Sequence, residues 1–290
     1  MSAFDYEINK DGIAIITFDL PGDKVNKLTT PVMEEFNALL DELGTRKEIK
    51  ALVFKSGKDE SFIVGADIAE IRGITDAETG ERLARSGQTV LNKLESLPFP
   101  TVAAIHGPCM GGGMELALAC TYRIISNDQK TALALPEVKL GIMPGFGGTQ
   151  RLPRLVGLAN ALDMILTGKS VYARKARKIG LADEVTYKEL LVQRALVMAK
   201  AAIGKPKKTA VRAKRPLIIK LLEGNPLTRP LIYRTAYRNV LKETHGNYPA
   251  PLAALESIRY GVAHHGEVGY LQEAKLLGRL APAEVSKNLI

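Results

Sequence analysis

Gly107-Pro-Cys-Met-Gly-Gly-Gly-Met-Glu115-Leu-Ala-Leu-Ala-Cys120 is the stretch on which the reading of the fold turns. Three consecutive glycines, Gly111, Gly112 and Gly113, run directly into an apolar, helix-like segment at 116–120. Just upstream, Thr101–Ile105 (TVAAI) is a short apolar run that reads as a buried strand. Strand, glycine turn, helix is the local order, and glycine lets the main chain pass close to a ligand at the turn. The N–H groups at such a helix start lack intrahelical acceptors, and the helix dipole adds partial positive charge. An oxygen that becomes negative during a reaction is stabilised there.

The same alternation extends outward. Phe4–Ile8 and Ile13–Phe18 are β-like runs joined by Asn9-Lys10-Asp11-Gly12, whose Asp-Gly pair tolerates positive φ, so a hairpin opens the chain. Pro31 begins a helical pattern with Met33, Phe36, Leu39, Leu40 and Leu43 on one face before Gly44, and 51–54 follows as a buried strand. Residues 77–97 read as a helix, 123–126 and 131–135 as strands, and 159–166 and 190–203 as helices. Alternating strands and helices imply an α/β architecture. Beyond about residue 204 the chain turns basic, proline-punctuated and helical, which places a boundary between a core at 1–203 and an extension at 204–290. No fixed-period repeat or low-complexity tract interrupts this pattern.

Composition narrows the class. In 290 residues, hydrophobic side chains make up 46% and charged ones 24%, the balance of an ordinary soluble globular chain. The N-terminal MSAFDYEINKDG is acidic without an apolar core, and no apolar run is long enough to span a bilayer, so neither secretion nor membrane spanning is expected. Cys109 and Cys120 sit in apolar surroundings without metal-ligand spacing and read as reduced core thiols, which fits a cytoplasmic protein. Much of the net charge of +9 is concentrated in 204–216, GKPKKTAVRAKRP, with Lys205, Lys207, Lys208, Arg212, Lys214 and Arg215. That segment reads as a solvated surface, with an anionic ligand, a lipid surface or a protein partner as the alternatives; it has no interleaved aromatics, so a nucleic-acid partner is not expected. His106, His245, His264 and His265 form no ligand set with nearby cysteines, and no metal is expected.

Two acids sit beside close-approach main chain. Glu115 falls in the first turn of its helix, where an acid also complements the macrodipole, yet 116–120 carries no polar side chain, so the helix reads as buried all round. Glu137 precedes the Gly- and Pro-rich run Gly141–Gly148; on a surface it would simply pair with Lys139 or Arg151. Asp67, ending the run Phe62-Ile-Val-Gly-Ala-Asp67, reads as a cap for a helix from Ile68. Paired carboxylates suit a reaction in which one group takes a proton and another gives one.

VGADI at 64–68, GPCMGGGMELALAC at 107–120 and LPEVKLGIMPGFGGTQRLPR at 135–154 resemble, in order and spacing, the signature regions of the crotonase, or enoyl-CoA hydratase/isomerase, superfamily. VNKL at 25–28 resembles its coenzyme A loop, and LTGKS at 166–170 with 176–183 its downstream helical pattern. FIVGADI, KLGIMPGFGG and HGNYPA at 245–250 are similar in wording to the hydratase half and linker of multifunctional fatty acid β-oxidation α-subunits. A Gly-x-Gly-x-x-Gly after a strand is missing, so the dinucleotide module of those subunits is not expected, and the chain reads as a hydratase part, separately encoded or cut from a longer one.

The resemblance implies a crotonase-type spiral of repeated ββα units with a C-terminal helical extension. It implies that the Ala66 and Gly112 N–H groups hold a thioester oxygen, and that Asn26, Lys27, Ala66, Asp67 and Ile68 contact the coenzyme A portion of an acyl-CoA substrate. Glu115 would promote attack of water at C3 of a trans-2-enoyl-CoA, Glu137 would protonate C2, and the Gly145 N–H would help hold the water. Coenzyme A is then part of the substrate, and no separate cofactor is implied. Retention of both acids favours hydration over the isomerase, thioesterase and decarboxylase reactions of the superfamily, with isomerase side activity alongside. A Δ3-Δ2-enoyl-CoA isomerase and a non-catalytic docking subunit are the competing readings. Met110, Met114, Met143 and Phe146 are candidates for lining the acyl chain. A homo-oligomer, or docking to dehydrogenase or thiolase components, is implied by analogy with trimeric relatives and with α-subunits whose linker helices cover the hydratase site.

Overall fold

A hairpin opens the chain as its turn chemistry requires. Strands β1 (Phe4–Ile8) and β2 (Ile13–Phe18) pair antiparallel with Phe4 opposite Phe18, while Gly12 takes φ +76° and the Asn9 side chain accepts from Asp11 N and Ile13 N, both at 3.0 Å. The computed structural model describes residues 2–206, 223, 225–264 and 266–290, and these fall into two compact units. The first is built from 2–67, 89–133 and 171–206, the second from 68–88, 134–170 and the described residues from 223 onward. This division does not follow the expected boundary at 204: the C-terminal helices share their unit with 68–88 and 134–170. The basic cluster from 207 onward and His265 lie outside the described residues.

In the first unit, β2, β3 (Ala51–Ser56), β4 (Thr101–Ile105), β6 (Tyr122–Ser126) and β9 (Glu184–Thr186) run parallel, with β1 antiparallel at one edge. One face packs Ile13, Val53, Val102, Ala104 and Ile124 against Leu191, Ala195 and Ala199 of the helix Leu191–Ala202. The other carries an aromatic cluster in which Phe4 stacks on Phe18 (ring centroids 4.6 Å) and on Phe36 (5.1 Å), and Phe54 meets Phe36 and Phe62 edge-on. Phe36 comes from helix α1 (Thr30–Thr45), capped by Thr29 through its hydroxyl and buried through Val32, Met33, Phe36, Leu40 and Leu43. Leu39, expected on that face, is only half-buried, and Val32 takes its place. Burial on both faces explains why these strands read as near-continuous apolar runs.

A smaller sheet is formed by β5 (Pro108–Met110), β7 (Ala132–Ala134) and β8 (Val171–Tyr172). Strands β5, β8 and β9, each of two or three residues, are too short to show a period and escape a sequence reading.

The second unit is helical in its described residues. Gly148–Val156 and Leu158–Thr167 are separated at Gly157, and Arg229–Thr244, Pro249–Ala263, Glu267–Leu280 and Glu284–Leu289 follow, consistent with the helical extension expected beyond 204. Helices α2 (Ile68–Arg72) and α3 (Ala77–Ser96) begin in this unit, and α3 passes to the first after Gln88. Among the described residues no helix is long and apolar enough to cross a membrane.

Candidate active site

In the first unit, β4 and β5 deliver the chain to helix α4 (Gly112–Ala119), whose cap Gly111 has φ 52° and offers no side-chain acceptor. Every residue of α4 is buried, Glu115 included at 2% exposure, which bears out the buried helix expected from 116–120. Glu115 N donates to Gly111 O at 3.0 Å, closing the first turn and leaving the Gly112 N–H without an intrahelical acceptor. The helix approaches the 62–66 segment so closely that a Cβ on Gly113 would lie 2.5 Å from Ile63 O; only glycine fits. Gly65, at φ +114°, lies against the same turn: a Cβ there would meet Met110 O at 3.5 Å and Gly112 N at 4.0 Å. Ala66 and Gly112, the expected pair of thioester-oxygen donors, are thus carried on neighbouring segments. Leu28 N donates to Gly65 O at 2.9 Å, and Leu28 and Ala66 form an isolated parallel bridge that holds this segment.

The coenzyme A expectations divide, with Asn26, Lys27, Ala66 and Asp67 in the first unit and Ile68 in the second. Lys27 Nζ lies 3.0 Å from Asp67 and 3.3 Å from Asp23, and hydrogen bonds to those carboxylates, Asp67 first, hold its pKa above the ordinary lysine value. Ile68, half-exposed, opens the helix Ile68–Arg72 directly after Asp67, where a helix start was expected. Asn26 is different: its side chain is fully buried, accepting from Leu20 N at 2.9 Å and donating to Phe18 O, Ser56 Oγ and Phe62 O. That amide ties β2 to the 62–66 segment, and the Asn26 carbonyl accepts from Val64 N at 3.0 Å, so the side chain expected to meet coenzyme A is used within the fold. Cys109 and Cys120 are buried and are not joined in a disulfide, and burial pushes the Cys109 pKa up.

In the second unit, Glu137 begins a 3-10 turn, Glu137–Leu140, closed by Gly141 at φ 72°. The residue is part-exposed, yet its Oε2 is buried without a hydrogen-bond partner among the described residues, so the surface pairing with Lys139 or Arg151 is not made. Burial pushes its pKa up to about 8, and the negative charge of Glu273 adds to the effect. A carboxyl in this state is a proton donor at neutral pH. Tyr248, from the HGNYPA segment, donates to Val138 O and accepts from Gly141 N at 3.1 Å, clamping the turn. Arg151 donates to Phe146 O and stands over the Tyr270 ring, 5.2 Å from its centroid.

Gly145 sits where a Cβ would meet Leu277 at 2.4 Å, and its carbonyl accepts from Gln88 Nε2 at 3.0 Å. The run after it is held by Glu273, a fully buried carboxylate on the helix Glu267–Leu280 that accepts from Gly147 N at 2.6 Å, Thr149 N at 2.9 Å, the Thr149 hydroxyl and Gln88 Nε2 at 3.1 Å. Burial raises its pKa against these hydrogen bonds. Glu273 and Gln88 were not singled out in the sequence. The available signal was an acid on an apolar stripe, since Gly269, Glu273, Leu276 and Leu280 share one buried face at helical spacing. Of the acyl-chain candidates, Met114 and Met143 are buried and Met110 and Phe146 half-buried. No group of three or more His, Cys, Asp or Glu suited to a metal occurs among the described residues.

A parallel α/β core with a glycine-capped helix start and buried acids describes a fold and a polar site, and comparison with known proteins supplies the family. The family model for enoyl-CoA hydratase/isomerase matches residues 8–231, and the chain belongs to that family. Over 286 residues it is 46% identical to the fatty acid oxidation complex subunit alpha of Shewanella amazonensis and 44% identical to that of Shewanella sp. strain MR-4, covering 99% of this chain and 40% of each relative. The chain therefore spans about two fifths of the length of these relatives. Among solved structures, enoyl-CoA hydratase from Bacillus anthracis is similar at TM-score 0.63 with 26% identity, covering 89% of this chain and 96% of that one. Pseudomonas aeruginosa DspI is similar at TM-score 0.64 with 30% identity, covering 83% and 96%. The fold is of the crotonase type, with C-terminal helices present.

Proposed function

We propose that this chain hydrates trans-2-enoyl-CoA to 3-hydroxyacyl-CoA. The observation that carries the reading is the family's signature chemistry set in a matching fold: N–H donors at Ala66 and Gly112, with buried Glu115 in the first turn of α4. Conjugate addition pushes negative charge onto the thioester oxygen, and donors already oriented there lower the barrier; loss of one such donor typically costs about 3 kcal/mol.

In the proposed step Glu115 takes a proton from water as its oxygen bonds to C3, and Glu137 gives a proton to C2. The water O–H bond breaks, C3–O and C2–H bonds form, Glu115 ends protonated and Glu137 ionised, and solvent restores both. The raised proton affinity of Glu137 supports its part as the acid, since it holds its proton at neutral pH. Gly145 N–H holds the water. Every proton is moved by the two carboxylates, so the step is complete without a metal or redox group. Lys27, Asp67, Ile68 and the main chain at Ala66 take the coenzyme A portion.

Relatives named as subunits of a fatty acid oxidation complex support a place in fatty acid β-oxidation and docking to other components, and two buried cysteines not joined in a disulfide support a cytoplasmic setting. With crotonyl-CoA, the enoyl absorbance falls as water adds; Glu115→Gln and Glu137→Gln each lower kcat by about 100- to 10,000-fold. Full activity in both variants would sink the roles given to the two acids, and a wild-type protein without activity would leave a docking subunit. Conversion of a 3-enoyl-CoA to the 2-enoyl isomer without hydration would instead make the chain an isomerase.

A further inference from the structure

Gly147 caps the helix Gly148–Val156 at φ +104°, and a Cβ there would fall 2.1 Å from Arg151 Nη1, so the cap has to be glycine and carries no side chain to satisfy the opening N–H groups. Glu273 supplies that function from 126 residues away. Its oxygens accept from the cap N–H of Gly147, from Thr149 N and from the Thr149 hydroxyl, and its charge complements the helix start. It also accepts from Gln88 Nε2, the amide that donates to Gly145 O at 3.0 Å and Tyr270 O at 2.9 Å. The main chain from Gly145 to Thr149 is therefore fixed at its carbonyl end through Gln88 and at its N–H end directly.

We propose that Glu273 is a positioning residue for hydration: through Gln88, Gly147 and Thr149 it sets the main chain that presents the Gly145 N–H to the attacking water. A buried carboxylate is costly to fold, yet this one lies on an otherwise apolar face and engages one functional loop rather than a neighbouring cation. The inference rests on the hydratase reading above, in which Gly145 holds the water.

Glu273→Gln and Thr149→Val test it, with kcat and KM for crotonyl-CoA and Tm measured on each. Glu273→Gln replaces one acceptor oxygen by a donor facing N–H groups; Thr149→Val keeps the carboxylate and removes one donor to it. Assayed well below the Tm of either variant, Glu273→Gln is expected to lower kcat by about 10- to 100-fold and Thr149→Val several-fold, with KM within about twofold, the pattern of lost orientation. Should Glu273→Gln fail to fold, Thr149→Val alone decides. Wild-type kcat in the folded variants, at a temperature where both are fully native, would make Glu273 merely structural and overturn the proposal. A wild-type protein without hydratase activity would overturn the reading of the site and this proposal with it, whereas an active wild type, an inactive Glu137→Gln and an unaffected Glu273→Gln would overturn this proposal alone.

Discussion

Glu115 and Glu137 are the same residue type in different surroundings. The first stands in the opening turn of a helix buried on every side, which the all-apolar 116–120 segment already announced. For the second, the sequence left a surface ion pair open; instead its Oε2 is buried and its proton affinity is raised to about 8. If Glu137 delivers the proton to C2, hydration depends on its protonated form, so kcat is expected to hold through neutral pH and fall above about pH 8. A pH–rate profile measures this, and Glu137→Gln removes that limb. Arg123 is the counterpart for stability. Fully buried on β6, it donates to Leu181 O, Ala117 O and Cys120 O, and it pairs with Asp183 at 3.4 Å. Arg123→Leu strands those carbonyls and takes the guanidinium away from Asp183, which keeps the Arg123 main-chain N–H; a loss of about 3–5 kcal/mol is expected in urea unfolding.

Among the elements, α4 is the one whose start the sequence located best, because three glycines after a strand have few alternatives. Why three were needed emerges from the contacts: Gly111 takes a positive φ, and Gly113 is pressed onto Ile63 O. Gly113→Ala is expected to cost about 1–3 kcal/mol by overpacking and, by pushing α4 away from the 62–66 segment, to lower kcat more than it raises KM. Steady-state kinetics beside thermal melts separates the two effects. The helix Glu267–Leu280 illustrates the opposite situation. Its periodicity was legible, but an acid on the apolar stripe could be assigned no task until the helix was seen against Gly147 and Thr149.

At the scale of the whole molecule, burial of carboxyl groups couples stability to pH. Glu137 binds its proton more tightly folded than unfolded, so the folded state carries more protons between the ordinary glutamate range and about pH 8, and burial shifts Glu273 in the same direction. Their contribution to stability is therefore greatest at low pH and is lost as pH rises through that window. His106, lowered chiefly by burial, acts in the other direction below its ordinary value of 6.5, so the test belongs between pH 7 and 8.5. Urea midpoints are expected to fall across that interval, and Glu137→Gln to flatten the slope.

The sequence by itself determined the hairpin, the alternating α/β order, the glycine-capped helix and the identity of the acids beside it. These rest on short-range chemistry: side-chain periodicity, positive φ at glycine and the missing acceptors of a helix start are properties of neighbouring residues. It could not determine which acid would lose its water, or that Asn26 would be used up in tying β2 to the 62–66 segment. Nor could it bring Glu273 to a glycine 126 positions earlier. Proton affinity follows desolvation and nearby charge, and a buried polar group takes whatever partners packing delivers, so only the tertiary structure decided those.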